Sequence, residues 1–214
     1  MERYIESLDW ITLLLVSCLV LYAVAKSSYP RRFHEFIMLP LNSKYFFVHG
    51  KNDDIKHPFN LLLFIAQVIS VSLFIFLYVK IKSPNILESN PWLFVQICSA
   101  YTFFVLIKLI LEKIVGTIFN LDTIINSYLY QKLSYRNLMS ILLFIGNLIF
   151  FYAVDPTLNL ITIFVVLIIL LNCIALYNSY KTFGNLILSN FFYFILYLCA
   201  LEISPYIILY KAFQ

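Results

Sequence analysis

Charge is what this chain has least of. Of its 214 residues only 12% are Asp, Glu, Lys or Arg, about half the share found in soluble domains. With 62% apolar residues and a mean hydropathy of +0.89, that scarcity excludes a soluble globular enzyme, and equally a disordered chain. Glycine is scarce too: four residues, at 50, 116, 146 and 184, leave no Walker A or GxGxxG loop to cradle a phosphate. HExxH and GxSxG are also missing, so no familiar catalytic constellation is present. Cys18, Cys98, Cys173 and Cys199 each lie inside an apolar run, without CxxC or Cys/His spacing. They read as small buried hydrophobes, not disulfides or metal ligands. His34, His49 and His57 share a loop with Asp53 and Asp54, but their spacing fits no metal motif. No cofactor or metal is expected. The net charge of +4 is not gathered into a basic patch, so nucleic acid is not an expected partner either.

What the chain has is apolar length. A crossing takes about 20 residues, and six candidate spans can be read: approximately Trp10–Ala25, Phe59–Val79, Trp92–Leu111, Leu138–Val154, Leu158–Leu176 and Leu186–Ile208. The first is expected to remain as a span, because Glu2, Glu6 and Asp9 outnumber Arg3 where a signal peptide would be basic. The class is therefore an all-α polytopic membrane protein, a single bundle of six helices. Lys and Arg then orient it. Lys26, Arg31, Arg32, Lys44, Lys51, Lys56, Lys108, Lys113, Lys132, Arg136 and Lys181 fall on one side, and Arg3, Lys80, Lys82 and Lys211 on the other, eleven against four of the fifteen. The richer side belongs in the cytoplasm, which puts both termini outside, in the periplasm of a bacterial inner membrane. Trp10, Trp92, Tyr78 and Tyr152 would anchor the outer span ends, and Tyr29, Tyr177 and Tyr180 the inner ones.

Two cytoplasmic segments are expected to lie on the membrane surface. Tyr29–Pro58 mixes bases with Phe33, Phe36, Ile37 and Met38. In Glu112–Asn137 the apolar residues Ile114, Ile118, Leu121, Ile125 and Tyr128 recur at helical spacing, predicting an amphipathic interfacial helix that ends in a Lys132–Asn137 turn. An extension of the third span is the alternative.

The candidate site is intramembrane and polar. Glu202 is the one acid well inside a span, and such a group is a functional-site hypothesis by default. Entering near Leu186, the span carries Glu202 roughly 24 Å deep, close to the outer boundary. Lys108 lies near the opposite boundary, so the expected partner is Lys80 or Lys82 at the outer end of the second span, with Tyr101 as a fallback. Pro205 removes the hydrogen bond to the Leu201 carbonyl and should kink the helix beside Glu202. Asn60, Gln67, Gln96, Asn147, Asn172 and Asn190 read as interhelical hydrogen-bonding residues spread over five spans. Arg31, Arg32 and Lys44 form a basic cytoplasmic surface that could hold a lipid-linked phosphate.

Asp9-Trp10-Ile11-Thr12-Leu13, Phe59–Ser70, Lys132–Asn137 and the tail Tyr197–Lys211 together resemble a family of small multi-pass inner-membrane proteins of Bacteroidota, known as a domain of unknown function. The likeness runs along the whole chain, and the acid-then-proline tail is its most specific part. It implies an all-helical bundle in a bacterial inner membrane and brings no activity. The expected role is a non-enzymatic membrane subunit or scaffold of an envelope assembly, with the bilayer and other membrane proteins as partners. The rivals are a small transporter or channel using Glu202 near a periplasmic vestibule, and an enzyme or accessory factor for lipid-linked precursors.

Overall fold

The computed structural model describes residues 9–39, 57–83, 90–118 and 122–189. They form α1 (Asp9–Ser28), α2 (Pro30–Ile37), α3 (Pro58–Lys82), α4 (Leu93–Ile118), α5 (Asp122–Leu148), a π-helical turn (Ile149–Ala153) and α6 (Leu158–Ser189), with no strand among the described residues. Among the described residues four stretches are long and apolar enough to cross a membrane: α1, α3, α4 and the run Asn126–Ala153. A shorter apolar stretch, Leu158–Asn172, opens α6.

Local chemistry sets the helix starts. Pro30 and Pro58 occupy first-turn positions where a missing N–H costs nothing. His57 Nδ1 accepts the Phe59 N–H at 3.2 Å, and Asn90 Oδ1 accepts the Trp92 N–H at 3.2 Å ahead of α4. Asp155-Pro156-Thr157 separates the π turn from α6, where Thr157 Oγ1 receives the Leu160 N–H.

Alternating helix directions bring matching ends together. Trp10 at the start of α1 meets Phe76 late in α3 and Phe94 early in α4, with ring centroids 5.2 and 5.4 Å away. At the other end Tyr29 meets His57 and Phe59, and Phe36 of α2 tucks under Phe59 at 5.9 Å. The bases of α1, α2 and the α4–α5 hairpin thus share one end, opposite Lys80 and Lys82.

Helix α3 is the hub, touching α1, α4, α5 and α6. On α1 the buried residues Ile11, Leu15, Cys18 and Ala25 line one face, and Leu13, Val16, Val20 and Val24 line the exposed one. In a bilayer that outer face meets lipid tails as apolar as itself, so van der Waals packing and polar contacts hold such helices together, not the hydrophobic effect. Phe164 of α6 shows the packing most directly. Its ring sits between Phe74 and Phe150, at 5.7 and 5.4 Å, and against the bare Cα of Gly146, where an added Cβ would fall 2.6 Å from ring atom Cε1.

Three expectations need correction. No interfacial helix spans 112–137: α4 continues to Ile118, and α5 begins at Asp122. The expected turn Lys132–Asn137 is the middle of α5, and the apolar helical run that takes in the fourth expected span begins near Asn126. Gln131, Ser134 and Asn137 look like loop or solvent-face residues, but they are buried against neighbouring helices, while Ile114 and Ile118 point outward. The backbone is also helical through 177–185, where a connection between the fifth and sixth spans was expected. Most of the sixth expected span, 186–208, lies outside the described residues.

Candidate functional site

Helix α5 buries a run of polar residues inside the bundle. Gln131, Ser134, Asn137, Ser140 and Asn147 are all 0–1% exposed, and at about 100° per residue they wind from one side of the helix to the other. In the later turns Leu142, Ile145 and Ile149 are exposed on the side opposite Ser140 and Asn147. Helix α3 answers with buried Asn60, Gln67, Ser70 and Ser72. The result is a polar seam inside an apolar bundle.

Two hydrogen bonds fix the register of the seam. Asn147 Nδ2 donates to the Ser70 carbonyl at 2.8 Å, and Gln67 Nε2 donates to the Tyr101 hydroxyl of α4 at 2.6 Å. The Tyr22 and Ser140 hydroxyls approach to 3.3 Å, and Cys18 Sγ lies 3.8 Å from the Ala66 carbonyl and from Ser70 Oγ. Interhelical bonds of this kind contribute about 0.6 kcal/mol each on average.

Charge enters at the end of the bundle where α4 stops and α5 begins. Lys132 Nζ donates to Glu112 Oε1 at 2.6 Å, joining α4 to α5, and the Glu112 side chain is fully buried. Lys108, one turn away on α4, is buried, and so is Arg32 of α2. Arg32 Nη2 donates to the Tyr130 hydroxyl at 3.3 Å, and its guanidinium lies 5.8 Å from the Phe59 ring centre. About 20 residues along from the ends at Leu93 and Ala153 lie Lys113 and Leu133, so the Glu112–Lys132 pair stands about one bilayer-core thickness from those ends. From there the seam climbs roughly 21 Å to Asn147 through a core about 30 Å thick. The opposite end is closed by aromatic packing of Trp10, Phe76, Phe94 and Phe151.

Several seam atoms have no protein hydrogen-bond partner among the described residues. They are Gln67 Oε1, Ser72 Oγ, Glu112 Oε2, Asn147 Oδ1 and both amide atoms of Asn137. Buried polar atoms are nearly always satisfied, so these atoms can accept or donate further hydrogen bonds.

The residues singled out from the sequence divide accordingly. Arg31 is exposed and pairs with Glu35 at 3.5 Å. Arg32, expected on the same basic surface, instead turns into the bundle. Lys44, Glu202 and Pro205 lie outside the described residues. At the outer end Lys80 borders a cavity of about 400 Å³ lined also by Leu77, Phe150, Tyr152 and Asp155, and Lys82 Nζ lies 5.8 Å from the Tyr78 ring centre. Tyr101, the fallback partner for Glu202, accepts from Gln67. Among the described residues no group of three His, Cys, Asp or Glu could hold a metal. Glu112 went unnoticed because the third span was ended one residue before it. The available signal was an acid four residues after Lys108, inside a helix that stays apolar to Ile118.

Comparison with known families adds one match. The model of a family described as Domain of unknown function (DUF4271) matches residues 11–213. The chain belongs to this family. The match takes in every described element from α1 onward apart from the first two residues of α1, so the polar seam lies wholly inside the family's domain. No curated protein and no solved structure matches the chain.

Proposed function

We propose that the protein is a non-enzymatic, multi-pass protein of a bacterial inner membrane, with both termini on the outer face. In this reading it acts as a small transporter-like unit that admits a polar solute into the α3–α4–α5 seam from the cytoplasmic side. The observation that carries the reading is the run of fully buried polar residues on α5, with amide atoms of Asn137 and Asn147 and the Glu112 carboxylate oxygen of α4 unpartnered among the described residues. A polar inner two-thirds under an aromatic outer third is the arrangement of a pathway open toward one side. Expected transport chemistry thereby moves from the outer end, at Glu202, to the inner one, at Glu112.

Cysteine accessibility tests this. In a background with the four native cysteines replaced by alanine, single cysteines at Ser134, Asn137, Ser140 and Asn147 would be exposed to a membrane-impermeant thiol reagent in inverted vesicles. A solute pathway labels positions 134 and 137 readily, 140 less, and 147 least. If none of the four reacts, the seam is dry helix packing and the transport reading fails.

A second reading, a membrane subunit of an envelope assembly, draws on α4. Only 11% of its membrane window is buried within the bundle, leaving Phe103, Leu106 and Ile110 exposed along its length. Photo-crosslinking from Phe103 in cells would yield a discrete protein adduct if α4 docks on a partner. Lipid adducts alone would refute it.

A further inference from the structure

Where α3 ends and the π turn follows α5, the bundle holds a cavity of about 400 Å³, within the roughly 300–1,000 Å³ range of ligand pockets. Leu77, Ile81, Phe150 and Phe151 supply apolar walls, and Lys80 and Asp155 are the charged residues among those lining it. The π turn carries the chain from Phe150 to Val154 past the cavity without a break, and such turns are frequent at functional sites. Each wall is held from behind. Leu77 is buried in a cluster with Phe74 and Ile161, the Phe150 ring packs T-shaped on Phe164 at 5.4 Å, and the Tyr152 and Thr12 hydroxyls meet at 2.6 Å.

The two charges select the ligand. A ligand with charge of one sign matches one of them and is repelled by the other, whereas a zwitterion matches both. Asp155 is exposed and makes no ion pair among the described residues, which leaves its carboxylate to accept from an ammonium. Lys80 has contacts of its own, but its ammonium carries three donors and can serve an anion beside them. Height narrows the choice further. The helical runs Pro58–Lys82 and Asn126–Ala153 are each long enough to cross a bilayer, and the cavity lies at the end of both, at the level of lipid headgroups.

We infer that this cavity binds a zwitterion made of a phosphate and a primary amine. The phosphate accepts from Lys80, the ammonium donates to Asp155, and the hydrocarbon lies against Ile81 and Phe150. A primary ammonium donates directly to the carboxylate, whereas the three methyls of a choline hold its nitrogen off. The inference rests on the chain crossing a membrane and is independent of solute entry into the seam. Two sources share this chemistry: the headgroup of phosphatidylethanolamine, and free phosphoethanolamine.

The test is thermal unfolding of the purified full-length protein in two arms. One compares nanodiscs of phosphatidylcholine with nanodiscs in which part of it is replaced by phosphatidylethanolamine or by phosphatidylglycerol. The other adds phosphoethanolamine to detergent-solubilised protein against inorganic phosphate at matched ionic strength. A bound ligand raises the unfolding temperature by mass action. A shift with phosphatidylethanolamine alone identifies the headgroup, and a shift with phosphoethanolamine identifies the soluble ester. Either supports the site if Asp155→Asn and Lys80→Gln raise the half-saturating ligand about fivefold, while Lys82→Gln, whose side chain lies on Tyr78, leaves it unchanged. Asp155→Lys puts two cations on the cavity and should turn the preference to phosphatidylglycerol, which a general response to bilayer curvature would not do. Should Lys80→Gln fail to fold, Asp155→Asn, on an exposed side chain, carries the test. The inference is overturned by no shift in either arm, by an equal shift in every variant, or by phosphatidylglycerol matching phosphatidylethanolamine on the unsubstituted protein. Cysteine labelling along the seam is expected to be the same in all these variants, so the two readings stand or fall separately.

Discussion

Separating Glu112 from Lys132 should destabilise the bundle more than any exposed charge change, and the size follows from geometry. The Nζ–Oε1 distance is 2.6 Å, with Lys132 17% exposed and Glu112 not at all. At an effective dielectric of about 20, unit charges about 4 Å apart attract by about 4 kcal/mol. Desolvation of a fully buried carboxylate takes back a large part of that. A net coupling of about 2 kcal/mol remains, well above the 0.2–1 kcal/mol typical of exposed pairs. The assay is a double-mutant cycle of Glu112→Gln, Lys132→Gln and the double variant, unfolded in mixed micelles by rising dodecyl sulfate and followed by circular dichroism. Glu112→Gln is expected to cost less than Lys132→Gln, because the latter strands a buried carboxylate while the former leaves a lysine able to extend toward the headgroups. The double variant should recover part of the loss. A coupling within about 0.5 kcal/mol of zero would mean that the two side chains do not share a buried site, and the inner end of the seam would lose its organising contact.

Three further outcomes are expected. Gly146→Val should push the Phe164 ring off α5 and destabilise by about 1–3 kcal/mol in the same titration, as overpacking does; a wild-type midpoint would show that α6 does not press on Gly146. A cysteine in place of Ser7 should label from the periplasm and one in place of Lys51 should not, with the reverse pattern refuting the assigned orientation. If Glu202 pairs with Lys80 at the outer end, Glu202→Lys should lower the unfolding midpoint and Lys80→Glu in the same chain should restore it. Absence of restoration removes that pairing.

The membrane class and most helix ends were legible because long apolar runs report lipid contact regardless of what the helix does inside. Where reading failed, the periodicity was real and its meaning was inverted. Ile114 and Ile118 do share a face, but in a bilayer the apolar face looks outward to lipid, and Gln131, Ser134 and Asn137 occupy the interior. A rule learned from water assigned that polar face to solvent and so placed a surface helix where two crossing helices meet. The same assumption treated Asn60 and Gln67 of the second span and Asn147 of the fourth as independent hydrogen-bonding residues, although the Asn147–Ser70 bond brings their helices together in one polar seam. Antiparallel pairing is what brings Glu112 of α4 against Lys132 of α5, and no single helix carries that information. An acid and a base at the adjoining ends of consecutive apolar helices, here 20 residues apart in sequence, are therefore the pattern by which an internal ion pair of this kind can be recognised.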